Sequence, residues 1–346
     1  MSRILAKSLQ WTQSPLIINA PMGGFAGGDL AAAVTKAGGL GMIGGVFDMN
    51  ELHDNLAKAT ATLHVDQSLD SSKTLPVGVG LLPFVSKLEE ALPVIKEFKP
   101  HVLWLFAAKE FEDYTTWAQR IREVSPDTQI WIQCGSVTAA LHIAEACKPD
   151  VLVMQGVDAG GHGFEKGAGI ISLLPETADA LQRHDFAHIP LVAAGGIMDG
   201  RGTAAALALG AQGVVMGTRF LAAKETIVHG KYQSTLLDAE DGGQSTVRSK
   251  LFDELRGPNI WPEAYNGRSL VIDSYRDHVN GVGIEEIRRL HGEAVKGEDA
   301  GFGESKRAAI WAGTGVGLVK KVEGAADIVV EVRNGAREVL QRAAKI

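Results

Sequence analysis

Short runs that are apolar at nearly every position recur along the first two-thirds of the chain, each followed by a stretch with helical spacing of its apolar residues. The runs are Leu16–Ile18, Leu40–Ile43, Pro76–Val79, His101–Phe106, Gln129–Gln133, Val151–Met154, Pro190–Ala194 and Gly213–Met216. Amphipathic stretches lie between them, at Asp29–Ala37, Glu51–Leu63, Lys87–Phe98, Tyr114–Val124, Val137–Cys147 and Gly202–Leu209. A strand with one wet face alternates polar and apolar residues. A run without alternation suits a parallel strand covered on both faces. Eight such units in series predict an α/β fold, a closed (β/α)8 TIM barrel. The alternative is an open doubly wound sheet. Against it, no Gly-x-Gly-x-x-Gly turn follows the first strand with an acidic residue further on.

The pattern changes after Phe220. Residues 224–308 are more charged, hold few β-branched runs and carry the breaks Gly242-Gly243, Gly257-Pro258 and Trp261-Pro262. They are expected to form an added helical lid or substrate subdomain, with one helix at Ile284–Val295. Residues 1–223 and 309–346 then make up the barrel. The last segment, Glu323–Ala344, reads as a closing helix whose apolar face is Ile328, Val329, Val332, Ala336, Val339 and Leu340.

Composition narrows the function. With 346 residues, 45% hydrophobic and 22% charged, the chain has material for one large core. A formal net charge of -7 and the lack of any Lys/Arg run argue against nucleic acid and against anionic membranes as partners. The two cysteines, Cys134 and Cys147, form no Cys-x-x-Cys pair, which fits a reducing compartment and no disulfide framework. The amino-terminal residues build no apolar signal core, and no stretch approaches membrane-spanning length. Cytoplasm is the expected location. The final Ala344-Lys345-Ile346 distantly echoes a peroxisomal address.

Chemistry is expected where barrel strands end. Strand one ends in Ala20-Pro21-Met22-Gly23-Gly24, where proline fixes the exit and the glycines strip away side chains. Strand six ends in Gln155-Gly156-Val157-Asp158-Ala159-Gly160-Gly161-His162-Gly163. This is the most specific stretch of the chain: one imidazole, the group that titrates near neutrality, set among glycines. The bland alternative is a loop histidine that caps backbone. Strands seven and eight end in Gly195-Gly196 and Gly217-Thr218, which match the phosphate site of barrels. Asp199 reads as the N-cap of the next helix. Arg219 is set to pair with a phosphate or with a carboxylate of the fold. Gln133 and Gln155 are polar ends on apolar strands, suited to the edge of a heteroaromatic ring, or else a pair of satisfied barrel-rim amides. Cys134 has no activating neighbour in sequence and reads as packing. Trp311-Ala312-Gly313-Thr314-Gly315-Val316-Gly317 is either an amide-rich loop returning to the mouth or a plain turn. No histidine or carboxylate spacing suggests a metal, and no Gly-x-Ser-x-Gly elbow is present.

Taken in order, these segments resemble the nitronate monooxygenases, formerly called 2-nitropropane dioxygenases. Ala20–Gly23, Gln155–His162, Ala194–Arg201, Gly213–Phe220 and Ala312–Gly317 carry the resemblance, which runs from the first strand to beyond Gly317. It implies a barrel that binds FMN without a covalent bond. Pro21, Met22 and Gly23 would pass over the isoalloxazine ring, with Gln133 and Gln155 toward its polar edge. Ala159, Gly160, Gly161, Gly195, Gly196, Gly217 and Thr218 would surround the ribityl phosphate, and His162 would be the catalytic residue. The chain departs from the family pattern at Gly80, where many members carry asparagine, and at Asp158, where glutamate is frequent.

The expected reaction is oxidation of an alkyl nitronate, and of nitroalkanes if His162 acts as base, by O2 to a carbonyl compound and nitrite. Nitronate and O2 are the expected partners, and a homo-oligomer is left open. An NAD(P)H:quinone or enoyl reductase on the same scaffold is the nearest alternative. A non-redox phosphate-binding barrel and a flavin-binding protein without turnover are the others.

Overall fold

The computed structural model describes residues 4–45, 48–64 and 74–345. Met1–Arg3 of the amino-terminal segment and Ile346 of the final tripeptide lie outside that range. Eight strands form one parallel sheet. They are β1 (Leu16–Asn19), β2 (Met42–Gly44), β3 (Leu75–Leu81), β4 (Pro100–Leu105), β5 (Gln129–Cys134), β6 (Val151–Gln155), β8 (Leu191–Ala194) and β9 (Gly213–Met216). Their order around the sheet is β1-β9-β8-β6-β5-β4-β3-β2. A parallel bridge between Ile18 and Leu40 brings β1 to the segment leading into β2 and all but closes the ring.

Two hydrophobic clusters share out the residues of each strand. Ile18, Met42, Val102, Trp104, Trp131, Val153, Val192 and Val215 face the barrel interior, together with Leu5 and Leu9 from the amino-terminal segment. Their neighbours Ile17, Ile43, Val79, Leu103, Ile132, Leu152, Ala193 and Val214 pack outward against the helices. Neither face of a strand reaches water, which is why the runs lack alternation. Trp104 and Trp131 fill the interior with ring centroids 6.4 Å apart.

The helices follow the expected series, among them Val137–Cys147, capped by Ser136, and Gly200–Ala208, capped by Asp199. The helix Ile170–Arg183, which contains Pro175, adds to that series. The closing helix Ala325–Ala343 packs on Gly200–Ala208 and buries Ile328, Val329, Val332 and Ala336. Its Arg333 is buried and donates to the carbonyls of Ala37 at 2.9 Å and Gly38 at 2.7 Å, tying the end of the chain to the first βα unit.

Residues 224–308 contain the helices Gly230–Leu237, Asp273–Val279 and Ile284–Ala294, and also two strands, β10 (Thr246–Ser249) and β11 (Tyr265–Leu270). A third strand, β7 (Gly161–Phe164), continues out of the strand-six loop and pairs antiparallel with β11. Sequence alone shows that segment as a loop. Gly-His-Gly-Phe has little strand propensity of its own, and its partner lies about a hundred residues on, so only the tertiary ladder makes it a strand. This small sheet couples the added region to the mouth of the barrel.

Candidate active site at the barrel mouth

The loops after β1, β6, β8 and β9 meet at the carboxyl ends of the strands. An ideal Cβ on Gly195 would stand 2.8 Å from the Gly156 carbonyl oxygen, and one on Gly196 would stand 2.9 Å from the Asp158 Cβ. Both glycines have positive φ, +103° and +73°, a conformation and a closeness that other residues do not tolerate. Gly217 lies beside Met22, whose Sδ would be 3.7 Å from an added Cβ. Pro21 and Met22 are half-buried and Gly23 is exposed at the same rim.

The late glycine loop does return to the mouth. Gly313 donates its amide to Thr218 Oγ1 at 3.0 Å, and Thr314 donates both its amide to the Asp158 carbonyl and its hydroxyl to Asp158 Oδ1, each at 3.0 Å. Gly160 packs so closely on this loop that a Cβ would approach the Ala312 carbonyl carbon to 2.4 Å. None of the hydrogen bonds joining these loops uses the amides of Gly195, Gly196 or Gly217. Thr218 opens the short helix Thr218–Leu221, so its amide has no partner within the helix either. Among the described residues these amides are left as unspent donors at the ends of neighbouring strands.

Arg219 does not take part. It is buried and pairs with Glu323 at 2.6 Å and more loosely with Glu331, which settles it as a bond of the fold rather than a ligand contact. Asp199 accepts from the amides of Arg201 and Gly202, as an N-cap should. Cys134 is fully buried, and desolvation pushes its thiol up to about 12, so it stays protonated and inert.

Both glutamines are engaged. Gln133 accepts from Trp104 Nε1 at 3.1 Å, and Gln155 donates to the His162 carbonyl at 3.0 Å. Gln155 thus fixes the strand-six loop instead of lying free at its edge. Two arginines of the small sheet hold the same loop from the other side. Arg248 donates to the carbonyls of Val157 and Ala159, and Arg268 donates twice to the Val157 carbonyl. Burial, with help from the Arg268 charge, brings Arg248 down to about 10, so both remain cations near neutrality. Gly161 turns with φ +68° and delivers His162 into β7.

His162 is then surrounded by side chains from the added region and the late loop. Its Nε2 lies 2.5 Å from Asp253 Oδ1. The Trp261 indole covers the imidazole face to face, with centroids 3.6 Å apart and planes within 6°. Trp311 leans in at 4.9 Å. Tyr265, Phe106 and Phe84 continue the aromatic wall behind Trp261. Neither Asp253, in the short helical turn Leu251–Glu254, nor Trp261, in an irregular stretch, carries a signal in the sequence around it, since each meets His162 only through the fold.

Gly80 explains its own departure from the family pattern. A Cβ there would come within 2.4 Å of Pro21 Cβ, so the proline ring occupies the space that a longer residue needs. Among the described residues no cluster of three or more His, Cys, Asp or Glu could hold a metal ion, and no helix is long and apolar enough to cross a membrane.

Comparison with known proteins meets this geometry. The family model described as nitronate monooxygenase matches residues 6–68 and 118–335. The chain belongs to the nitronate monooxygenase family. It is 46% identical to the nitronate monooxygenase npaC of Metarhizium robertsii over 341 residues, covering 97% of this chain and 95% of that one. It is 39% identical to the nitronate monooxygenase of Neurospora crassa, with 98% and 94% covered. In fold, the family member superposes on FabK from Thermotoga maritima with a TM-score of 0.77 at 24% identity, covering 99% and 98% of the two chains. It superposes on a nitroalkane oxidase from Streptomyces ansochromogenes with a TM-score of 0.71 at 24% identity, covering 95% and 98%. At that identity these two likenesses speak for the barrel alone.

Proposed function

We propose that the chain is an FMN-dependent nitronate monooxygenase, oxidising alkyl nitronates with O2 to a carbonyl compound and nitrite. The observation that carries the reading is the pairing, at one barrel mouth, of a glycine rim with unspent amides and a single imidazole under an aromatic roof. The near full-length relatives named for that reaction support it.

A flavin follows from the family, and FMN is the form we assign. The fit rests on the amides of Gly195, Gly196, Gly217 and Thr218, which suit a dianion that brings no adenylate with it. Pro21, Met22 and Gly23 form the edge over which the ring would lie, and Ala159, Gly160 and Gly161 form the facing wall. Gln155 holds that wall through the His162 carbonyl, and Gln133, bonded to Trp104, would face the ring's polar edge from the end of its strand. When bound, FMN supplies the redox chemistry, accepting electrons from the nitronate and passing them to O2.

The chain's own residues do the rest. His162 can take a proton from a neutral nitroalkane as a general base and, once protonated there, can donate a hydrogen bond to the nitro oxygens. Trp261 and Trp311 keep water from the reacting face. Residues 224–308 act as the lid that supplies this roof. We place the enzyme in the cytoplasm, in keeping with two free cysteines and a net charge of -7.

The test is anaerobic reduction of the holoenzyme followed by stopped flow. Bleaching by a nitronate, with NADH and NADPH inert, is the expected result. Rapid bleaching by a nicotinamide instead would make the chain a reductase on the same scaffold.

A further inference from the structure

The Asp253 carboxylate sits in the helical turn Leu251–Glu254 of the added region, with a side chain only 5% exposed. One oxygen meets His162 Nε2 at 2.5 Å. The other, Oδ2, is buried and has no hydrogen-bond partner. A buried carboxylate with half its acceptors unused is kept against a desolvation cost, so it marks a group retained for something other than packing. The contact also fixes chemistry at the imidazole. A carboxylate accepts and does not donate, so the Nε2 facing it must carry the proton while the ring is neutral. The lone pair then resides on Nδ1, which has no hydrogen-bond partner among the described residues. The Trp261 indole stacked on the imidazole at 3.6 Å opposes the out-of-plane turn that would exchange its two nitrogens.

We propose that Asp253 is a positioning residue that locks His162 as the Nε2–H tautomer and so makes Nδ1 the atom that accepts the α-proton of a neutral nitroalkane. This rests on the functional reading above and adds to it the group that makes the imidazole a directed base. In the step, the α C–H bond breaks and its proton goes to Nδ1. The electron pair of that bond forms the C=N bond of the nitronate, and the nitro oxygens take the negative charge. The resulting imidazolium stays hydrogen-bonded through Nε2 to the Asp253 carboxylate, as in other histidine–carboxylate pairs. No oxidant enters this step. A nitronate supplied ready-made bypasses it.

The experiment uses the holoenzyme and compares Asp253→Leu and Asp253→Glu with the wild type on two substrates, a neutral nitroalkane and its preformed nitronate. Thermal melting checks that each variant folds. In parallel, 15N NMR of histidine-labelled protein reads the His162 tautomer, its signal identified by its loss in His162→Asn. The expected result is that Asp253→Leu loses about 100-fold more in kcat/KM on the nitroalkane than on the nitronate, with about tenfold recovered in Asp253→Glu. The wild-type spectrum should show a protonated Nε2 and a bare Nδ1, with that preference lost in Asp253→Leu. Equal losses on both substrates, or a wild-type His162 protonated at Nδ1, would overturn the proposal. A wild-type enzyme that oxidises no nitronate would overturn the functional reading instead, and the NMR arm would still decide what Asp253 does.

Discussion

The two sides of the barrel mouth are built by different means. The side around Gly195, Gly196, Gly217 and Thr218 is made of backbone. Its loops leave adjacent strands, Gly195 and Gly196 turn with positive φ, and its donors are main-chain amides. The side around His162 is made of side chains brought from afar. Asp253 and Trp261 reach the imidazole from the region added after the last barrel strand, Trp311 from the late glycine loop, and β7 exists only because β11 pairs with it. A backbone site is specified by local sequence, since a glycine pair at a strand end has few other reasons to be there. A side-chain site of this kind is specified by the tertiary fold, and its members look ordinary where they stand in the chain.

That contrast predicts separable defects. The largest lies on the side-chain half: His162→Asn should lower turnover of a neutral nitroalkane by about a thousandfold, measured as kcat/KM, while the protein keeps its bound flavin. Loss of the flavin together with the activity would show that the two halves are not independent. Next comes the backbone half. Gly195→Ala places a Cβ 2.8 Å from the Gly156 carbonyl at φ +103°, which should cost about 2–3 kcal/mol and weaken FMN binding roughly 30- to 100-fold by titration. Beneath that rim, Arg219→Met removes the main partner of the largely buried Glu323, which still keeps Lys321 at 2.6 Å. The cost should be about 2 kcal/mol in urea unfolding, less than for a pair left with no partner at all. The smallest effect belongs to the roof. Trp261→Leu should cost about 1 kcal/mol at the imidazole, seen as a roughly fivefold fall in kcat/KM. A larger loss would mean that Trp261 does more than cover His162.

The same contrast accounts for how much could be read in the chain beforehand. The eight barrel strands were legible because both faces are buried, as the pairs Ile17 with Ile18 and Leu103 with Trp104 illustrate. The closing helix was legible from the spacing of Ile328, Val329, Val332 and Ala336. His162 and the glycine rim stood out because glycine and histidine have few bland uses at strand ends. The choice between a phosphate and a carboxylate for Arg219 was not legible, because Glu323 lies 104 positions away. The engagement of Gln133 by Trp104 was equally hidden, since it crosses between neighbouring strands inside the barrel. Strands β7 and β11 are not legible in the sequence because Gly-His-Gly-Phe and Tyr-Asn-Gly-Arg-Ser-Leu lack the β-branched residues that announce a strand.

One measurement bears most directly on the whole: the absorption spectrum of the protein as purified, with the released cofactor identified by mass and the titration repeated on Gly195→Ala. A yellow protein releasing equimolar FMN, with the variant folded but markedly poorer at rebinding it, is what the glycine rim requires. A colourless protein that ignores added FMN, or a variant that holds FMN as tightly as the wild type, would contradict it.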